Sequence, residues 1–68
     1  MNEANRLIAD ITLEGQIKEL SRELQMRSQA FPRWVKQGRL SQEEADYRMA
    51  ALQAAITTLK DQQTGIIS

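Results

Sequence analysis

The sequence contains no cysteine and no histidine, and each absence removes a class of chemistry. Without cysteine there is no disulfide framework and no thiolate metal site. Without histidine the commonest general base and the commonest metal ligand are missing. Long apolar runs are missing too. None approaches the ~20 residues a membrane helix needs, and Glu3 and Asp10 bracket the stretch where a signal peptide would be apolar. Net charge is also absent, since nine Lys and Arg balance nine Asp and Glu, so no general affinity for nucleic acid follows. The aromatic residues are only Phe31, Trp34 and Tyr47, and Pro32 is the single proline. These absences predict a soluble, cytoplasmic protein with no metal, no cofactor and no membrane contact.

A chain of 68 residues allows one small domain. Domains of this size rarely bury enough apolar surface alone, and the usual staples are a disulfide, a metal or self-association. The first two are unavailable, so a homo-oligomer, a dimer or larger, is expected.

What the sequence does have is a concentrated middle. Between Leu24 and Gln42 stand Arg27, Arg33, Lys36 and Arg39 with no acidic residue, and Phe31, Pro32 and Trp34 lie among them. Leading into this stretch and through it, Leu13, Ile17, Leu20, Leu24, Phe31 and Trp34 follow helical spacing, with Arg27 standing where the stripe asks for an apolar residue. The stem of Arg27 can line that seam while its guanidinium reaches toward the turn. After the stretch, Ala45, Met49, Leu52, Ile56 and Leu59 repeat at four, three, four and three, a heptad seam. Ala50, Ala51, Ala54 and Ala55 widen it with small residues that admit another helix.

The punctuation agrees with two helices. Thr12 suits the start of the first, and Gly15 weakens its opening turns by about 1 kcal/mol relative to Ala. Pro32 costs a helix interior about 3 kcal/mol and disfavours helical backbone at Phe31. The first helix is therefore expected over about 13–30, with a further turn over 32–37 if it kinks rather than ends. Gly38 suits a left-handed C-terminal cap. Ser41 and Glu44 form the S-x-x-E capping pattern, and Glu43, Glu44 and Asp46 place negative charge where the helix dipole favours it. The second helix is expected over about 42–62. Residues 1–11 read as an N-terminal extension or short helix, and 63–68 as a tail.

The expected fold is all-α: an antiparallel helical hairpin over residues 12–62 that self-associates into a helical bundle. Leu20, Leu24, Met49, Leu52, Ile56 and Leu59 are the expected oligomer interface.

The run from Glu19 to Leu59 resembles a family of small phage and prophage accessory proteins, mostly uncharacterised. The resemblance rests on Arg22-Glu23-Leu24, Phe31-Pro32-Arg33-Trp34-Val35, Gly38-Arg39-Leu40-Ser41, Glu44, Ala45 and Arg48. It implies a phage-borne protein of the bacterial cytoplasm and no defined activity.

Two readings of the basic turn follow. In one, Phe31, Trp34, Val35 and Leu40 plug the end of the hairpin, and Arg39 or Arg48 pairs with Glu43 or Glu44. Exposed pairs of that kind contribute about 0–1 kcal/mol, which does not by itself explain four uncompensated bases. In the other, Arg27, Arg33, Arg39 and Arg48 converge on one anionic ligand, with Trp34 or Tyr47 stacking on a base. Catalysis is disfavoured, because the carboxylates sit on outer faces or at a cap and no phosphate loop, metal spacing or nucleophile motif occurs. DNA is an unlikely partner, since the second helix opens with acids. The expected function is therefore counter-defence by binding: sequestration of a small anionic nucleotide signal of the host at basic inter-subunit sites. The alternative is a protein-binding inhibitor of a host enzyme or regulator, and a third reading is an assembly factor with no ligand.

Overall fold

The structure, a computed structural model, describes residue 8 and residues 10–64. It is an all-α helical hairpin: α1, Leu13–Lys36, packs along α2, Gln42–Thr64, across a turn at residues 37–41. The expected extension at 1–11 and tail at 63–68 lie mostly outside the described residues. Among the described residues no helix is long and apolar enough to cross a membrane.

α1 begins where Thr12 caps it. The Thr12 hydroxyl accepts from the Gly15 N–H at 2.9 Å, and Glu14 adds an acid in the first turn. Gly15 is useful here, because a Cβ would lie 3.2 Å from that hydroxyl. The helix neither ends nor breaks at Ala30. It runs through Pro32 to Lys36 as one element, so the separate turn expected over 32–37 is its last turn. The proline removes one N–H from the helical ladder, but burial of Phe31 and the closing turn beyond hold the residues on both sides in helix.

That closing turn is a Schellman motif. Gly38 takes φ +75°, its N–H donates to the Val35 carbonyl at 3.0 Å, and the Arg39 N–H donates to the Trp34 carbonyl at 2.9 Å. α2 then starts on Ser41, whose hydroxyl accepts from the Glu44 N–H at 3.0 Å. It continues to Thr64, two residues beyond the expected end.

The core is thin. Only Ile17, Phe31, Ala45, Leu52 and Ile56 are buried among the described residues. Leu13, Leu20, Leu24 and Leu59 pack half-buried against Ile17, Leu52 and Ile56. Leu52, 8% exposed, and Ile56, 2% exposed, were expected at an interface between copies. They are instead used within the chain, because the heptad seam of α2 finds its partner in α1.

Candidate functional site

The basic-aromatic cluster forms at the closed end of the hairpin, where Phe31 is its centre. Phe31 is 3% exposed, and its ring carries two guanidiniums, Arg27 at 5.8 Å and Arg48 at 5.0 Å from the centroid. One comes from each helix. Arg27 occupies the seam position in α1 that spacing gave it, so its half-buried side chain crosses to α2. Its Nε donates to Glu23 Oε2 at 2.9 Å, and its Nη1 donates to the backbone carbonyl of Arg48 at 3.3 Å. Arg27 thus ties the two helices together and fixes the backbone of Arg48.

Trp34, one turn beyond Phe31, tilts against it at 5.6 Å between centroids and 36° between planes. Arg39 lies over the indole, 5.4 Å from its centroid. This contact follows from the turn: in a Schellman motif the residue after the left-handed position meets the side chain five residues earlier. A cation on an aromatic face contributes about 0.5–1 kcal/mol at an exposed site.

Two grooves flank Phe31. One, of about 350 Å³, is bordered by Arg27, Arg33, Trp34 and Arg48, with Glu23 and Met26 on its rim. The other, of about 260 Å³, is bordered by Pro32, Val35, Met49 and Asp46 as well as Arg27. The first has three guanidiniums against one carboxylate, and that carboxylate is already bound by Arg27. It is the better anion site. Among the described residues neither Arg33 nor Arg48 has an ion-pair partner.

Of the six residues read from the sequence as ligand-binding, Arg27, Arg33, Trp34 and Arg48 meet at this groove, and Arg39 and Tyr47 do not. Arg39 is taken up by the turn. Tyr47 is 73% exposed and points away, because neighbouring helix positions face directions 100° apart and Arg48 faces the seam. The pairing of Arg39 or Arg48 with Glu43 or Glu44, part of the first reading of the turn, is absent among the described residues; Arg39 lies over Trp34 and Arg48 over Phe31. Sequence reasoning missed Glu23 as the partner of Arg27, although their i,i+4 spacing carries that signal. It also missed that Phe31, not Trp34, is the ring the arginines share. No group of three or more acidic residues that could hold a metal occurs among the described residues.

Compared with protein-family models, with curated proteins and with solved structures, the chain matches none.

Proposed function

We propose that the protein is a phage-type counter-defence factor that works by binding, sequestering a small anionic nucleotide signal of the host cell. The observation that carries this reading is the convergence of Arg27 and Arg48, from different helices, on one buried ring beside Arg33. Like charges are brought together there without enough carboxylate to balance them, and a phosphate restores the balance through bidentate guanidinium contacts. The phage context comes from the resemblance of residues 19–59. Phosphate recognition is assigned to Arg48 and Arg33, whose guanidiniums are unpaired, and Arg27 holds Arg48 in position.

The test is calorimetric titration with a panel of cyclic mono- and dinucleotides. Binding is expected to weaken with rising salt and to be lost in Arg48→Ala and Arg33→Ala with helix content unchanged. Arg48→Lys should restore charge without the fork geometry and recover affinity only in part. If no nucleotide binds, or if both Ala variants bind as well as the parent, the reading is wrong.

A second reading, inhibition of a host protein, is favoured by the rim of the same groove. Met26 is 52% exposed beside Trp34 and the arginines, and these are residue types enriched at protein interfaces. Co-purification of one host protein, lost in Met26→Asp but kept in Arg48→Lys, supports it over the nucleotide.

A further inference from the structure

Charge in the groove beside Phe31 is divided into a spent part and a free part. Three guanidiniums and one carboxylate border it: Arg27, Arg33 and Arg48 with Glu23. The carboxylate is spent, because Glu23 Oε2 accepts from Arg27 Nε at 2.9 Å. Arg27 is spent as well, since its Nη1 donates to the Arg48 carbonyl at 3.3 Å. Among the described residues the guanidiniums of Arg33 and Arg48 have neither an ion-pair nor a hydrogen-bond partner. Arg48 lies over the Phe31 ring, a contact that draws on its charge and leaves its N–H donors unbonded. Two free positive charges therefore face a ligand, one from each helix.

Two free charges on one small groove discriminate among phosphates. The phosphate of a cyclic nucleotide is a diester with a single negative charge. A terminal phosphate is a monoester, with a charge of about −1.5 to −2 at neutral pH and three acceptor oxygens. Those oxygens can meet a guanidinium fork on either side. Size favours the same ligand. The groove holds about 350 Å³, near the lower end of the roughly 300–1,000 Å³ of small-molecule sites, and suits one nucleotide rather than two. The Trp34 ring, the obvious platform for a base, is already flanked by Phe31 at 5.6 Å and Arg39 at 5.4 Å. The phosphate is the part that the groove can read.

The geometry points to a terminal phosphate as the group bound between Arg33 and Arg48, so that the ligand is a nucleotide phosphomonoester in preference to a cyclic diester. This rests on the reading of the groove as a nucleotide site and narrows it. Glu23 sets the preference, because by pairing with Arg27 it keeps the free charge at two rather than three.

The test uses one base and one sugar: 5′-AMP, 3′,5′-cyclic AMP and adenosine, each titrated calorimetrically into the full chain. At neutral pH, 5′-AMP is expected to bind roughly tenfold more tightly than cyclic AMP, the gain from one further charge-assisted contact. Adenosine should not bind measurably. The second proton of a phosphomonoester titrates at about pH 6, so the preference should shrink toward unity at about pH 5. The protein has no histidine to charge over that range. Protonation of Glu23 would make the groove more positive and favour the more highly charged ligand, so a shrinking preference comes from the ligand's own proton. If low pH costs the chain its helix, the 5′-monomethyl ester of AMP makes the comparison at neutral pH, since it is acyclic but singly charged. It should then bind like cyclic AMP. Cyclic AMP binding as tightly as 5′-AMP would overturn the inference and leave the groove a nucleotide site. So would a preference that persists at low pH or in the methyl ester, or a cyclic dinucleotide that binds more tightly than 5′-AMP. If no nucleotide of either kind binds, the reading of the groove falls and the inference falls with it.

Discussion

Gly38 is the residue on which the turn depends, and its role is confined to the backbone. At φ +75° an L side chain is strained, yet a Cβ there would meet nothing within 4 Å. The cost of Gly38→Ala is therefore conformational, about 1 kcal/mol in a urea midpoint, and Gly38→Asn should cost less because Asn tolerates this region. Ser41 acts through one hydrogen bond, to Glu44 N–H. Ser41→Ala is expected to lower stability by about 1 kcal/mol, and Ser41→Asp by little or nothing. Arg39 and Arg48 look alike in the sequence and should behave oppositely. Arg39→Ala removes the cation from Trp34 and lowers the midpoint by about 0.5–1 kcal/mol with nucleotide binding kept. Arg48→Ala is the variant expected to lose binding.

At the scale of the element, α1 departs most from expectation. Pro32 stands exposed in a helix that gains little from its ring and lacks the N–H that would reach Ser28. Pro32→Ala is expected to stabilise the protein by about 1–3 kcal/mol, read as a higher thermal midpoint; a lower midpoint would mean that the ring packs in the second groove more than its exposure suggests. The helices, their starts and the turn were legible because Thr12, Gly38 and Ser41 each act locally, within five residues. The continuity of α1 was not, because local propensity at Pro32 is overridden by Phe31, whose burial depends on a helix distant in sequence. The site divides the same way. Arg27 at a seam position and its pairing with Glu23 follow from spacing along one helix. That Tyr47 and Arg48 face apart also follows from helical phase. The capture of Arg39 by Trp34 does not, since it needs the left-handed turn to bring together residues that no helix makes neighbours.

For the whole molecule, so few buried side chains mean that each counts heavily. Ile56→Ala should cost about 2–4 kcal/mol, a large part of the 5–15 kcal/mol typical of folded domains, and circular dichroism should show helix lost at room temperature or a much lower midpoint. If copies of the chain associate, as its size leads one to expect, the parent's thermal midpoint will rise with protein concentration, as it must when association favours the folded state.

The arrangement of the hairpin also sets an order of events in time. Its rings, interhelical arginine strap and the caps of the turn lie at the closed end, where Arg27 and Arg48 are only 21 positions apart, and among the described residues the helices meet toward the open end through aliphatic side chains. Contacts so local favour rapid folding that begins at the turn and spreads outward like a zipper. Amide hydrogen exchange should then run as a gradient, slowest near Phe31 and Ala45 and quickest where Leu13 and Leu59 lie, so that the groove is the last part of the molecule to open.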